Sequence, residues 1–189
     1  MSSFFGNIII AFRSVSISST TLNAFNNTTT ASITATASSV REAYTYLWIQ
    51  SGTPCTINSS TNDTTTFTGS GVTGTTNVYC NIRDILTGNT RNTDSCTITW
   101  TSPPSGSIIQ NTPRTRRRVP CTAFLSGATA TGYSWLRQSG QPCTFSTPTL
   151  QNTNVTEIGV PNNTTTIQCT ISYSGGSVVP TSVIQWGIL

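Results

Sequence analysis

One phrase occurs twice in this chain. Tyr46 to Ile57 reads YLWIQSGTPCTI, and Tyr133 to Phe145 reads YSWLRQSGQPCTF. Each copy is a short apolar segment ending in Trp and one more apolar residue, followed by Gln-Ser-Gly, Pro, Cys and Thr. A second landmark follows each at matched distance: Asn77 to Ile82 (NVYCNI) and Thr166 to Ile171 (TIQCTI). Each half closes on an alternating segment ending in Trp, at Trp100 and at Trp186. Three landmarks in a fixed order mean that one supersecondary unit has been duplicated. With 189 residues, the chain has room for two small domains and little else.

Composition narrows the class of those domains. Only 7% of residues are charged and 35% are hydrophobic, so the polar surface consists of Ser, Thr, Asn and Gln. Thr, Val and Ile lose rotamer freedom in helices and fit a pleated surface, which points to strands. No stretch has apolar residues at helical spacing, and no apolar run approaches the roughly 20 residues that span a bilayer. The expected fold class is all-β: two tandem sandwiches preceded by an extended segment. The expected boundaries are 1–12 for an apolar arm or first strand, 13–101 for the first domain, 102–118 for a Pro- and Arg-rich linker, and 119–189 for the second. The linker follows from the breakers Pro103, Pro104, Gly106 and Pro113.

Parity assigns the core. Side chains alternate across a strand, so Tyr46 goes with Trp48, Cys55 with Ile57, Val78 with Cys80 and Ile82, and Cys96 with Ile98 and Trp100. In the second half Cys121 goes with Ala123. The expected structural core is Trp48, Cys55, Cys80, Trp100, Trp135, Cys143, Cys169 and Trp186. The six cysteines thus fall at inward positions, where a free thiol acts as a small hydrophobe. Disulfides are the alternative. Cys55–Cys80 and Cys143–Cys169 recur in both halves, and each would close a loop of about 25 residues, contributing about 3 kcal/mol. Cys121–Cys169 is a rival pairing. Ser2 and Ser3 precede Phe4 without a basic residue, so no export signal is read and reduced thiols are expected. Asn-x-Ser/Thr triplets at Asn27, Asn58, Asn62, Asn154 and Asn163 are then by-products of Asn- and Thr-rich loops.

Catalysis is not expected. The chain has no His to move protons near neutral pH. Asp84 and Asp94 read as turn residues, and Ser139-Gly140 as a tight turn, since a nucleophile needs a base that is not there. No metal or cofactor is expected, because no Cys pair has knuckle spacing.

Two features invite partners. Phe4 to Phe12 (FFGNIIIAF) is the most apolar stretch, either a first strand or a docking arm carrying Phe4, Phe5, Ile8, Ile9, Ile10 and Phe12. The net charge of +4 rests on 9 basic residues, all Arg. Arg114, Arg116, Arg117 and Arg118 cluster, and the guanidinium fork suits bidentate carboxylate pairs on an acidic partner. A solvated run is the plain alternative. Nucleic acid ranks last, because the cluster has no interleaved aromatics.

Trp48-Ile49-Gln50-Ser51-Gly52-Thr53-Pro54, the Thr-rich segment ending in Phe67, and Val78-Tyr79-Cys80-Asn81-Ile82-Arg83-Asp84 together resemble the PKD-type (REJ-like) immunoglobulin-like domain. The likeness covers Tyr44 to Trp100 and Gly132 to Trp186. The second copy departs from the pattern by one inserted residue before Gln138 and by lacking an Asp after Ile171. Such domains, in this Thr-rich and Lys-poor texture, resemble modules of bacterial surface proteins and tailed-phage virion proteins. The resemblance implies a β-sandwich that displays or glues surfaces and carries no catalytic site. The expectation it supports is a virion protein, a capsid decoration or cement protein made in the host cytoplasm. It would bind the major capsid protein or other virion subunits in a multi-copy assembly or homo-oligomer, with no membrane. A tail, fibre or cell-surface adhesin is the alternative, binding host glycan or protein through loops such as Gly69 to Asn77 and Ser172 to Val179.

Overall fold

A computed structural model of the chain describes residues 12, 14–38, 43–159 and 163–187. The chain divides into two units, Met1–Pro103 and Pro104–Leu189.

The first unit contains β1 (Ser14–Ile17), β2 (Thr21–Phe25), β3 (Ile33–Ser38), β4 (Tyr44–Gly52), β5 (Cys55–Ile57), β6 (Thr64–Thr65), β7 (Phe67–Gly69), β8 (Gly74–Asp84), β9 (Thr90–Asn92) and β10 (Cys96–Thr101). One layer is built from β1-β3-β6 together with the β5-β7 pair. The other runs β2-β10-β8-β4, with β9 also on β8. All pairings within these layers are antiparallel except β2 with β10, which is parallel. Strands of this length are half-covered, and the alternation shows it. Val78, Cys80 and Ile82 on β8 and Cys96, Ile98 and Trp100 on β10 are fully or almost fully buried. They pack with Ile33, Trp48 and Phe67 into one core.

The second unit contains β11 (Ser105–Gln110), β12 (Arg118–Ser126), β13 (Ala130–Gly140), β14 (Cys143–Phe145), β15 (Asn152–Glu157), β16 (Thr164–Tyr173), β17 (Gly176–Val178) and β18 (Thr181–Gln185). Its layers are β11-β12-β15-β14 and β13-β16 with β17 and β18 on the far side of β16. Counting β17 and β18 as one interrupted strand gives seven, in the order first-second-fifth-fourth and third-sixth-seventh. That is the strand order of an immunoglobulin-like sandwich of the constant type. The core again joins both layers, from Val119, Cys121 and Val155 to Trp135, Cys169, Ile184 and Trp186. The chain is therefore all-β, two tandem immunoglobulin-like sandwiches, with no helix among the described residues.

Two expectations change. The stretch 102–118 is not a linker throughout. Ser105–Gln110 is a strand, paired antiparallel with β12 from Ser105↔Ser126 to Gln110↔Cys121, so the second domain begins at Pro104 rather than at 119. The breakers misled because Pro and Gly are tolerated on edge strands, and β11 is one. The loops expected to bind ligands are also shorter than read: Gly74 to Asn77 lies in β8, and Ser172, Tyr173 and Gly176 to Val178 lie in strands.

Candidate functional site

The duplicated landmarks build one device twice. Trp48 lies opposite Cys80, and Trp135 opposite Cys169. Both rings are 2% exposed, and each indole must find a partner when buried. Trp48 donates from Nε1 to the Asn62 carbonyl at 2.8 Å and from its backbone N to that of Ser60 at 2.9 Å. Trp135 repeats this with Leu150 at 2.7 Å and Pro148 at 2.8 Å. Each Trp thus ties a connection onto its own strand, the one before β6 onto β4 and the one before β15 onto β13.

The closing tryptophans form a matched relay. Nε1 of Trp100 donates to Oγ1 of Thr76 at 2.8 Å, and that hydroxyl donates to the Thr53 carbonyl. Nε1 of Trp186 donates to Oγ1 of Thr165 at 2.7 Å, and its hydroxyl donates to the Gln141 carbonyl at 2.9 Å. The acceptors belong to the residues after Gly52 and Gly140, whose φ angles are +88° and +85°. A Cβ there would lie 2.6 Å from the Thr75 carbonyl oxygen and 2.3 Å from that of Thr164. Both the handedness and the space demand glycine. The repeated Gln-Ser-Gly is a corner of the fold. The extra residue of the second copy is absorbed as a bulge: Arg137 pairs with Ile167 and Ser139 with Thr166, leaving Gln138 over.

All eight expected core residues fall in or against the cores; Cys143 is the one left partly exposed. The six cysteines are free thiols. Burial pushes every one of them up, Cys80 to about 11. Cys121 rises to about 12, from burial first, with the Arg114 charge opposing it in part. Asp84 is buried and accepts from the backbone N of Leu86 at 2.8 Å and of Thr87 at 3.2 Å, as a turn residue does. Among the described residues no group of three His, Cys, Asp or Glu is placed to hold a metal. Nor is any helix long and apolar enough to cross a membrane.

The partner-directed residues divide. Phe4, Phe5, Ile8, Ile9 and Ile10 lie outside the described residues. Phe12 does not belong with a docking surface: it is 6% exposed, sits in the first core and stacks on Tyr44 at 5.8 Å. Burial in its own domain recovers more apolar area than waiting for a partner.

Arg114, Arg116 and Arg117 lie between β11 and β12 and Arg118 opens β12; Arg114 and Arg116 meet the end of the last strand, and Arg117 and Arg118 lie beside β15. Arg116, Arg117 and Arg118 are exposed. Nη2 of Arg114 donates to the Gln185 carbonyl at 3.1 Å, and its Nε is buried without a partner. The Arg116 carbonyl accepts from Gly187 N at 3.3 Å and that of Arg117 from Glu157 N at 2.9 Å. Sequence reasoning found the charges but not their seat, because those contacts span 71 and 40 positions.

A second surface escaped it. Asn111, Thr122, Ser146, Thr147, Asn152 and Asn154 line a shallow dish of about 340 Å³ on the outer face of the second domain. Asn111 Nδ2 donates to Thr122 Oγ1, which donates to Asn152 Oδ1, both at 2.7 Å. The pairing of β12 with β15 and of β14 with β15, and the bond from Asn111 N to the Pro120 carbonyl, bring these residues together.

No family model matches the chain, and no curated protein matches it. Several solved structures are similar over most of its length. Three N-terminal domains of the bacteriophage RB49 Highly Immunogenic Outer Capsid protein share 16% identity, with a TM-score of 0.39, over 93% of this chain and 59% of theirs. The chain thus spans about three fifths of that phage structure. Fibronectin(III)-like modules of Clostridium thermocellum CbhA share 10%, with a TM-score of 0.38, over 92% of this chain and 95% of theirs. An I-band fragment of titin shares 13%, with a TM-score of 0.38, over 93% of this chain and 65% of its own. At these values the fold assignment rests on the strand order above, not on the likenesses.

Proposed function

We propose that this chain is a structural protein of a virion, a bacteriophage capsid decoration or cement protein. In this reading it docks on the major capsid protein or another virion subunit through protein–protein contacts, in many copies, and carries out no catalysis. The observation that carries it is where the chemistry of the chain goes. The Trp, Thr and Gly landmarks are consumed by the two cores, and the described surface is left to amides and hydroxyls, to scattered exposed apolar side chains such as Leu86, Leu136 and Val183, and to one exposed arginine cluster. The thiols, the remaining nucleophiles, are held protonated by burial. Surfaces of this kind attach rather than transform. The finer assignment of both domains to the PKD-type branch rests on the resemblance of 44–100 and 132–186.

The outer dish favours a second reading, an adhesin or fibre module. Its lining carries no charged side chain, Asn111, Thr122 and Asn152 form one hydrogen-bonded row in it, and it has room for one sugar ring, as recognition of an uncharged glycan would need.

Adding purified protein to particles that lack it, and imaging them, tests both. Density repeated over the capsid lattice supports the first reading. A few copies at a tail tip support the second, and no bound density anywhere overturns the virion assignment. Deleting residues 1–11, which spares the buried Phe12, is expected to lower capsid occupancy. Full occupancy after that deletion removes the arm as anchor.

A further inference from the structure

The free side of the last strand differs between the two domains. Trp100 and Trp186 hold matched places, with Ile98 opposite Thr76 and Ile184 opposite Thr165. Thr97 and Thr99 of β10 therefore correspond to Val183 and Gln185 of β18. In the first domain these residues turn their N–H and C=O away from β8 and into a ladder with β2, parallel from Thr97↔Thr21 to Thr101↔Phe25. Thr97 N donates to the Thr20 carbonyl at 2.9 Å.

In the second domain no strand among the described residues occupies that side; the backbone meets it only at its end, where Gly187 N donates to the Arg116 carbonyl. Cys169 N donates to the Pro180 carbonyl, so the odd-numbered residues of β16 carry the ladder and the even-numbered residues of β18 answer it. Val183 and Gln185 then face outward, and Val183 is 58% exposed. Their carbonyls are met by side chains instead: Gln110 Nε2 reaches Val183 at 2.8 Å and Arg114 Nη2 reaches Gln185 at 3.1 Å. These caps stand where β2 would supply N–H groups. An open strand edge invites pairing with another chain unless it is blunted, and here two long side chains blunt it in place of a strand.

We infer that the β18 edge is a docking site for one extended, acidic segment of a partner protein. The segment adds as a strand parallel to β18, as β2 adds to β10, with its carboxylates at its downstream end. Three observations fix the occupant. The same chain shows, in its first domain, that this position accepts a parallel strand. The downstream end of the edge carries Arg114 and Arg116, the latter bonded through its backbone to Gly187, so acidic side chains arriving there meet guanidinium groups. A second copy of this edge fits less well, since a symmetric pair runs antiparallel and sets each arginine cluster against Thr181 and Ser182 of the other copy, which carry no carboxylate. Main-chain bonds supply the attachment and the arginines the choice of partner. This deepens the protein–protein docking proposed above by giving its mode.

The test uses the full chain and a short Thr/Val-alternating peptide ending Glu-Asp-Glu, with no particle present. Binding is expected to slow amide exchange at Val183 and Gln185 at least tenfold. Val183→Pro removes an outward N–H while leaving the inward ladder at Ser182 and Ile184, and it abolishes the effect. Unchanged protection at Cys169 and Ile171 shows that the variant is folded. Arg116→Glu, at an exposed side chain, weakens the peptide about tenfold. Slowing elsewhere overturns the inference, as does none up to millimolar peptide, or equal slowing by a peptide ending in Lys. Peptide capture without particle binding counts against the virion reading alone.

Discussion

Gly69 and Glu157 occupy the same place in the two sandwiches and could hardly differ more. Thr65 and Thr153 set the correspondence, each accepting a backbone N–H from the preceding connection, from Ser59 at 3.0 Å and from Thr147 at 3.2 Å. Four residues on, Gly69 N donates to the Thr28 carbonyl and Glu157 N to the Arg117 carbonyl. In the first domain the chain leaves β2 and returns across this end, bringing the Asn26 backbone to within 2.4 Å of where a Gly69 Cβ would be, with the Trp100 ring at 3.0 Å. Among the described residues the second domain has no strand like β2, and a whole glutamate side chain is accommodated at the matched position. Its exposure is 5%, and neither carboxylate oxygen has a hydrogen-bond partner. The duplication kept the tryptophan relays, which define the fold. It let the path of the first strand vary, and the polar anomalies of the second domain collect where that path is missing.

The largest expected effect tests whether the shared part is equivalent. Trp48→Ala and Trp135→Ala should each cost about 4 kcal/mol, from lost burial and the cavity left. In scanning calorimetry each should lower only the transition of its own domain. A single transition moved equally by both variants would break the comparison at its root. Next comes the glycine. Gly69→Ala forces a methyl against backbone that cannot yield, at a cost of about 3 kcal/mol. Glu157→Ala should cost far less, because no backbone crowds that position in the same way. Equal losses would mean that the two positions are not counterparts.

How far the sequence carried this picture depends on the range of the interaction. The Trp and Cys positions were legible because alternation is local and a duplicated phrase marks its own boundaries. β11 was not, since Gly106 takes one of its inward positions and supplies no side chain to show the pattern; a Cβ there would press on Val178 and Pro180. Phe12 read as available because nothing in a linear apolar run says which ring finds Tyr44. The seat of Arg114 against Gln185, and the pairing of β2 with β10, join residues more than 70 positions apart, and no periodicity announces either.

The thiols sharpen the contrast at intermediate size. Burial raises Cys80 to about 11 and Cys121 to about 12. At about pH 8 their thiolate fraction falls at least a hundredfold below that of an ordinary cysteine. Labelling by an aromatic disulfide reagent should be slow until the chain unfolds, with Cys143, the partly exposed one, reacting first. The sign of the linkage follows. The native state holds these protons more tightly than the unfolded chain, so stability is undiminished below the ordinary thiol range. It falls as pH rises from there towards 11 and 12. Fast labelling of Cys80 at neutral pH in the folded protein would contradict its burial.

The smallest effect is the most diagnostic, because its sign is unusual. A buried carboxylate without partners opposes folding, and most substitutions at buried sites destabilise. Glu157→Met keeps the length and removes the two unpartnered oxygens, so it should stabilise the second domain by about 2 kcal/mol. For a domain of this size that raises its transition by roughly 10 °C, and the first transition should not move. Glu157→Gln should gain less, since an amide still arrives with hydrogen-bonding groups that find nothing there. If both variants instead destabilise, the carboxylate is anchored, and the space around it is a built polar site rather than room left over where the first domain carries β2.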